Sequence, residues 1–207
     1  MKHEWRKKEK QIYIPKQKPE IIEVPEFMYF TINGEGNPNS KHFSEHIGVL
    51  YSLAYAAKMS YKQGIEPKGY FDYTVYPLEG EWNVKDPNKA FVNGELNKDN
   101  LVFKLMIRQP NFVTPQFFEQ ILELTKKKKP HKLLNQVKLE TLNEGKCVQV
   151  LHVGSFDSEP ESFQKMQDFM LENNLTRLDK QHKEIYLSDF RKVTEDKLKT
   201  TLRVRVK

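Results

Sequence analysis

His182, Glu184, Tyr186 and Ser188 fall at every second position of the run His182-Lys183-Glu184-Ile185-Tyr186-Leu187-Ser188. In an extended strand that spacing puts their side chains on one face. A carboxylate beside a phenol and an imidazole can do two kinds of chemistry. It can hold a cation, because a carboxylate in apolar surroundings strongly prefers a partner of opposite charge, and aromatic faces attract cations by up to about 2 kcal/mol when desolvated. It can also move protons, with Glu184 as general base on water and Tyr186 as proton donor. A third arrangement leaves Glu184 on an exposed sheet face, paired with Arg203 or Lys104. Ile185 and Leu187 alternate with the polar set and are expected to pack beneath a helix, turning His182, Glu184 and Tyr186 outward.

The elements that must position these residues occur twice in the sequence. A strand over residues 27–32 ends at Gly34, a helix begins near Phe43, and strands follow over 74–79 and 101–108. A second strand over 148–153 ends at Gly154, a helix begins near Pro160, and strands follow over 184–189 and 198–205. This predicts an α+β fold: a tandem, pseudo-twofold repeat of strand-helix-strand-strand modules with antiparallel sheets and a ligand cleft between them. Two half-domains of this size, each with one helix layer, are marginal alone. The expected organisation is an N-terminal arm (1–23) and one domain (24–207). Within that domain, module one covers about 24–112, a linking helix and loop 113–145, and module two about 146–207.

Aligning the copies puts Thr74 where the second copy has Glu184, so the copies are not chemically equal. Tyr76 and Leu78 then share a face with Thr74, and Met106 and Lys104 lie on a neighbouring strand. Together they predict a cleft with aromatic walls and one carboxylate, suited to flat aromatic or cationic apolar ligands.

Periodicity predicts that Ile47, Leu50, Ala54, Ala57 and Tyr61 face the first sheet, with Tyr51 and Tyr55 as an adjacent stripe, core or ligand-lining, and Gly64 as the stop. Thr114-Pro115 reads as N-cap and first residue of a helix to about Thr125. Ser158 and Glu161 have capping-box spacing, and Phe163, Met166 and Met170 form the buried stripe of the second helix. In the final strand, Leu202, Val204 and Val206 share one face, and Thr201, Arg203 and Arg205 the other. Residues 79–100 read as a long loop carrying Trp82, either anchor or lid over the cleft. His152 reads as a satisfied strand histidine whose face alternation leaves open. A metal shared by His152, His182 and Glu184 lacks a clearly placed third ligand, so neither metal nor cofactor is expected.

The net charge of +6 permits nucleic-acid or membrane-surface binding without establishing either. Much of the excess lies before Tyr13 and in Lys126–Lys129, which read as a solvated arm and a solvated helix end; no direct nucleic-acid contact is expected. The single cysteine, Cys147, excludes a disulfide framework and, at the start of an apolar strand, reads as a buried structural thiol. The charged N-terminus is no signal peptide, and no apolar run approaches spanning length. The expected location is the cytoplasm.

The run 182–189, preceded by Leu151-His152-Val153-Gly154, resembles the GyrI-like small-molecule-binding family. So do Met106-Ile107-Arg108-Gln109-Pro110 with Thr114, and Pro77-Leu78-Glu79-Gly80 followed by Trp82. The resemblance extends from about Val24 to Val206. It implies paired strand-helix-strand-strand (SHS2-type) modules and a ligand cleft. In regulators of this family a cleft glutamate engages aromatic cations, and the matching position here is Glu184. With the residues that alternation and the repeat alignment bring forward, the candidate ligand-lining set is Glu184, Tyr186, His182, Trp82, Tyr76, Thr74, Met106, Tyr55 and His152. The resemblance implies binding of diverse drugs and dyes; the alternative is hydrolysis of cyclopropane-bearing DNA-alkylating natural products, with Glu184 and Tyr186 as catalytic pair. The chain departs from the family at Phe190, where proline is common, and at Lys183, where a second histidine is usual. Both are expected at the edge of the cleft.

Overall fold

The computed structural model describes residues 2–189 and 192–207; Phe190 lies outside the described residues. In chain order the elements are α1 (Trp5–Lys8), α2 (Lys10–Tyr13), β1 (Glu20–Val24), β2 (Phe27–Glu35), α3 (Lys41–Met59), β3 (Leu78–Val84), β4 (Phe91–Val92), β5 (Glu95–Leu96), β6 (Leu101–Gln109), α4 (Pro115–Lys128), β7 (Lys138–Leu142), β8 (Gly145–Val153), α5 (Glu159–Glu172), β9 (His182–Tyr186) and β10 (Lys199–Arg205). The protein is therefore of mixed α/β class, and every strand pair whose register is defined is antiparallel. Among the described residues no helix is long and apolar enough to cross a membrane.

The chain divides into two compact units. Unit one holds His3, Phe27–Tyr76 and Trp82–Leu142. Its sheet is built on β2, which pairs with β6 on one side and β7 on the other. Helix α3 starts at Ser40, whose side chain accepts a hydrogen bond from Phe43 N at 3.1 Å, an N-cap that satisfies one orphan amide. Its buried stripe is Phe43, His46, Val49, Leu50, Leu53, Ala54 and Ala57. This is rotated from the expected one: Ile47 is half-buried and Tyr61 exposed. Gly64, at φ +74°, closes the turn after the helix as expected. Thr114 caps α4 through Phe117 N at 3.2 Å, with Pro115 as its first residue.

One close approach in unit one requires glycine. A Cβ on Gly34 would lie 2.4 Å from the Phe103 ring and 3.0 Å from His46 Nε2. Trp82 packs in the same place, 5.5 Å from both the Phe43 and Phe103 rings and nearly wholly buried. It stands on β3 rather than in a loop, so it is a core residue and not a lid. The strand expected over 74–79 is displaced toward the C-terminus, to Leu78–Val84. The remainder of the expected long loop holds the β4–β5 hairpin.

Unit two holds Glu4–Glu26, Pro77–Glu81 and Asn143–Lys207. Its strand order is β1-β8-β10-β9. Register pairs Val150 with Leu202 and Leu202 with Glu184, and pairs His152 with Thr200 and Thr200 with Tyr186. Directly paired residues share a face. Val148, Val150, Leu202, Val204 and Val206 form one core with Met166 and Met170 of α5, flanked by Phe163 and Phe169. The opposite face carries Lys183, Ile185, Thr201, Arg203 and Gln149.

Residues 4–16 cover that opposite face. Thr201 Oγ1 donates to Tyr13 O at 2.7 Å, Arg203 Nη2 donates to Ile12 O, and Gln149 Nε2 donates to Gln11 O at 2.8 Å. Trp5 and Tyr13 are buried with ring centroids 5.1 Å apart. The segment expected to be solvated thus closes the second face of a sheet, and Glu20–Val24 adds a strand to β8.

This covering corrects the expected orientation of β9. His182, Glu184 and Tyr186 lie on the helix side, and Ile185 on the side of the N-terminal segment. Alternation identifies which residues share a face, but with both faces covered it cannot say which face meets the helix.

Candidate functional site

Glu184 sits in the middle of β9, cross-strand from Leu202, on the floor beneath α5. Its Oε1 lies 3.1 Å from His182 Nε2. Phe163 of α5 meets the His182 ring at 4.9 Å, edge-on, and Phe156, in the turn before the helix, meets Tyr186 at 6.1 Å. Phe156 is exposed, whereas His182, Phe163 and Tyr186 are half-buried. The result is a carboxylate on an apolar floor, edged by two phenylalanines, a tyrosine and an imidazole.

Glu159, the first residue of α5, joins this cluster. Its side chain is buried, and its Oε1 has no hydrogen-bond partner. Burial above all, then repulsion from the Glu184 and Asp157 carboxylates, pushes its carboxyl up to about 10. Glu159 went unnoticed in the sequence because an acid in the first turn of a helix is ordinarily a solvated partner of the helix dipole. The inward turn of the helix start would have been the signal.

His152 is held as a satisfied histidine: Nδ1 meets Ser162 Oγ at 2.9 Å, and Nε2 meets Ser155 O at 2.9 Å and Ser158 Oγ at 3.2 Å. Ser158 therefore spends its hydroxyl on Ser155 O and His152 and makes no side-chain cap for α5. The capping box expected from Ser158 and Glu161 does not form.

The pairings weighed for Glu184 are not made. Arg203 binds Glu144 Oε1 at 3.1 Å and Gln149 Oε1 at 2.9 Å. Lys104 binds Glu140 at 3.3 Å. Among the described residues neither Lys nor Arg pairs with Glu184.

The remaining expected ligand-lining residues lie in unit one, in distinct surroundings. Trp82 is in the Phe43–Phe103 cluster described above. Tyr76 is buried and already carries a cation: the Arg108 guanidinium lies 4.5 Å from its ring and 3.4 Å from that of Phe27. Met106 is wholly buried, cross-strand from Thr31. Thr74 is half-buried, and its amide donates to His3 O at 2.8 Å. Tyr55 is on the solvent side of α3, beside Tyr51 at 6.2 Å. The structure thus brings His182, Glu184, Tyr186 and His152 onto one sheet face, and Glu159 with them.

A second charged cluster occupies the opposite face. Lys183 Nζ lies 2.8 Å from Glu144, 3.2 Å from Glu79 and 3.9 Å from Glu81. Burial alone would drive the Lys183 ammonium toward neutrality, but Glu144, Glu79 and Glu81 together hold it above its ordinary value. Glu144 is likewise opposed by burial, yet Lys183 and Arg203 hold it below the usual carboxylate range. Burial raises Glu79. Lys183, expected at the edge of the cleft, is therefore a structural ion; one step along a strand moves a side chain to the other face.

Residues 87–207 match the GyrI-like small molecule binding domain, and the chain belongs to that family. A hydrolase from Listeria innocua is 37% identical over 100% of both chains, with a TM-score of 0.89. An uncharacterized conserved protein from the same organism is 38% identical over 100% of both chains, also at 0.89. The C-terminal domain of EcmrR shares the fold at a TM-score of 0.56, with 12% identity over 95% of this chain and 98% of that one. No curated protein matches the chain.

Proposed function

We propose that this protein takes up apolar aromatic small molecules at Glu184 and adds water to those carrying an activated cyclopropane ring, disarming DNA-alkylating compounds. The observation that carries this reading is that Glu184 acts electrostatically on a second buried carboxyl, Glu159, whose Oε1 has no hydrogen-bond partner. Two neighbouring carboxyl groups whose environments differ supply a base and an acid at one pH. The full-length similarity to a Listeria hydrolase supports the same reading. Tyr186 borders the site and orients the ligand. We read the shared order β2-α3-β3-β6 and β8-α5-β9-β10 as a duplicated SHS2-type module.

A second reading, capture of diverse cationic drugs and dyes without turnover, is favoured by one specific feature. Among the described residues Glu184 has no Lys or Arg partner, so an external cation could supply the missing charge.

One experiment separates the two. Purified protein is incubated with a cyclopropane-bearing alkylator in large excess, and the water-added product is followed by mass spectrometry. Multiple turnovers that disappear in Glu184→Gln support the hydrolase. No product, together with tight uptake of a rhodamine-type dye that Glu184→Gln weakens by about 1–3 kcal/mol while sparing neutral ligands, rejects turnover in favour of binding alone.

A further inference from the structure

Residues 4–18 of unit two hold five lysines and one arginine against two glutamates, which accounts for four of the six net positive charges of the chain. On a free arm those charges would scatter. Here the main chain beneath them is fastened to a sheet. Arg6 Nη2 donates to Leu187 O at 2.7 Å, Lys16 O accepts from Leu151 N at 2.9 Å, and the carbonyls of Gln11, Ile12 and Tyr13 are bonded between them. Trp5, Tyr13 and Pro15 turn inward and are buried, so Arg6, Lys7, Lys8, Lys10, Lys16 and Lys18 are left exposed on the outer side. Lys7 lies 2.6 Å from Glu4 in an exposed pair, which solvent screens. Among the described residues Lys8, Lys10, Lys16 and Lys18 make no ion pair. The segment crosses the end of β9, then β10 and β8, neighbouring strands of one sheet, a span of about 10 Å.

Cations fixed on one surface with no acidic partner of their own fit a polyanion. Insertion into a lipid surface needs an apolar face beside the cations, and among the described residues no large apolar side chain of 4–18 is exposed. The same observation excludes a stacking platform for single-stranded bases, which needs exposed aromatics. A duplex offers charge alone, about six phosphates in 10 Å of its axis, and lysine meets a phosphate as a point charge without a matching fork. We propose that residues 4–18 form a docking ridge for the phosphate backbone of a nucleic-acid duplex, held without regard to base sequence. The ridge covers the face of the sheet opposite Glu184, so a docked duplex leaves the Glu184 face open. The proposal does not depend on turnover at Glu184.

The test uses the full chain and a labelled DNA duplex of about 24 base pairs, followed by fluorescence anisotropy between about 50 and about 200 mM salt. Binding is expected to weaken about 10²-fold over that range, the slope of about four released counterions. Each of Lys8→Gln, Lys10→Gln, Lys16→Gln and Lys18→Gln should lower the slope by about 1, and the four together should remove most of it. Lys127→Gln/Lys128→Gln/Lys129→Gln, at the end of α4 in unit one, should leave binding and slope unchanged. A second duplex of unrelated sequence should bind within about twofold. Folding of each variant is checked by its cooperative thermal transition, and where the fourfold variant does not fold the single variants decide. No anisotropy change at about 50 mM salt with about 100 μM protein overturns the ridge. So does a slope that survives the ridge substitutions, or one that is lost in the α4 variant. Tighter binding to phosphatidylserine vesicles than to the duplex overturns nucleic acid as the partner. Each of these outcomes leaves the reading of Glu184 untouched.

Discussion

Replacing Lys183 by methionine would remove the cation around which the buried ionic cluster of unit two is built. The Lys183 ammonium lies 2.8 Å from Glu144 and 3.2 Å from Glu79, and all three side chains are buried. At an effective dielectric constant near 20, such contacts are worth about 6 and about 5 kcal/mol in gross attraction. Desolvating the ammonium takes back several kcal/mol, and the methionine recovers some apolar burial. The net loss is then about 3–5 kcal/mol, the range found when one partner of a buried pair is removed. The loss is pH-dependent. With Lys183 in place Glu144 is held below its ordinary range, so its stabilising contribution is present at neutral pH and is lost only as pH falls through that lowered value. Without Lys183 both Glu144 and Glu79 shift upward, and protonation relieves them. The gap between Lys183→Met and wild type therefore narrows from pH 7 to pH 5. Urea denaturation at both pH values, followed by circular dichroism, measures it. A variant within about 1 kcal/mol of wild type at pH 7, or a gap that widens on acidification, would refute the cluster as described.

Two further outcomes follow from unit one and from the interior of unit two. Gly34→Ala forces a Cβ to within 2.4 Å of the Phe103 ring and is expected to cost about 1–3 kcal/mol. Phe103→Leu should recover part of that loss in the double variant, and an unchanged melting temperature for Gly34→Ala would contradict the packing. Cys147 is fully buried, and burial pushes its thiol up to about 12. Native protein at pH 8 should resist a thiol-specific reagent that labels it at once in urea, and equal labelling rates would disprove its burial.

The order of strands and helices was legible in the sequence because it depends on local signals: apolar strands of five to nine residues, a Ser or Thr-Pro cap, glycine stops. Thr114-Pro115 and Gly64 act as read. The misplaced features share a different origin, since each depends on what covers a surface. Trp5 and Tyr13 lie in a strongly basic segment whose charges point to solvent while its aromatics close a sheet face, so average composition hid the buried minority. Trp82 reads as a loop residue in the sequence because the polar residues of 79–100 mask the continuation of β3 to Val84. The set His182, Glu184 and Tyr186 was correctly grouped, and only its direction was reversed. A sheet with one open face allows direction to be read from polarity, whereas a sheet buried on both faces does not.

That reversal gives the site its physical sense. Lys183 and Glu184 are consecutive, and because strand side chains alternate they enter two clusters of opposite logic. On one face cations and carboxylates are matched: Lys183 and Arg203 with Glu144 and Glu79. On the other, the Glu184 carboxyl has the His182 imidazole for company and, among the described residues, no Lys or Arg partner, and its charge opposes ionisation of the buried Glu159 of α5. An unmatched pair of this kind costs stability wherever it is built and persists only where the surrounding structure holds it. The matched cluster is fixed to the same strand and locked from behind by Tyr13, Ile12 and Gln11 through Thr201, Arg203 and Gln149. A strand clamped by ions on its rear face can hold Glu184 in place on its front face against the repulsion of the Glu159 carboxyl of α5. The function proposed for Glu184 therefore depends on Lys183 at one remove. A partly folded Lys183→Met protein should lose turnover at temperatures below its own melting transition, because the front-face pair loosens before the unit unfolds.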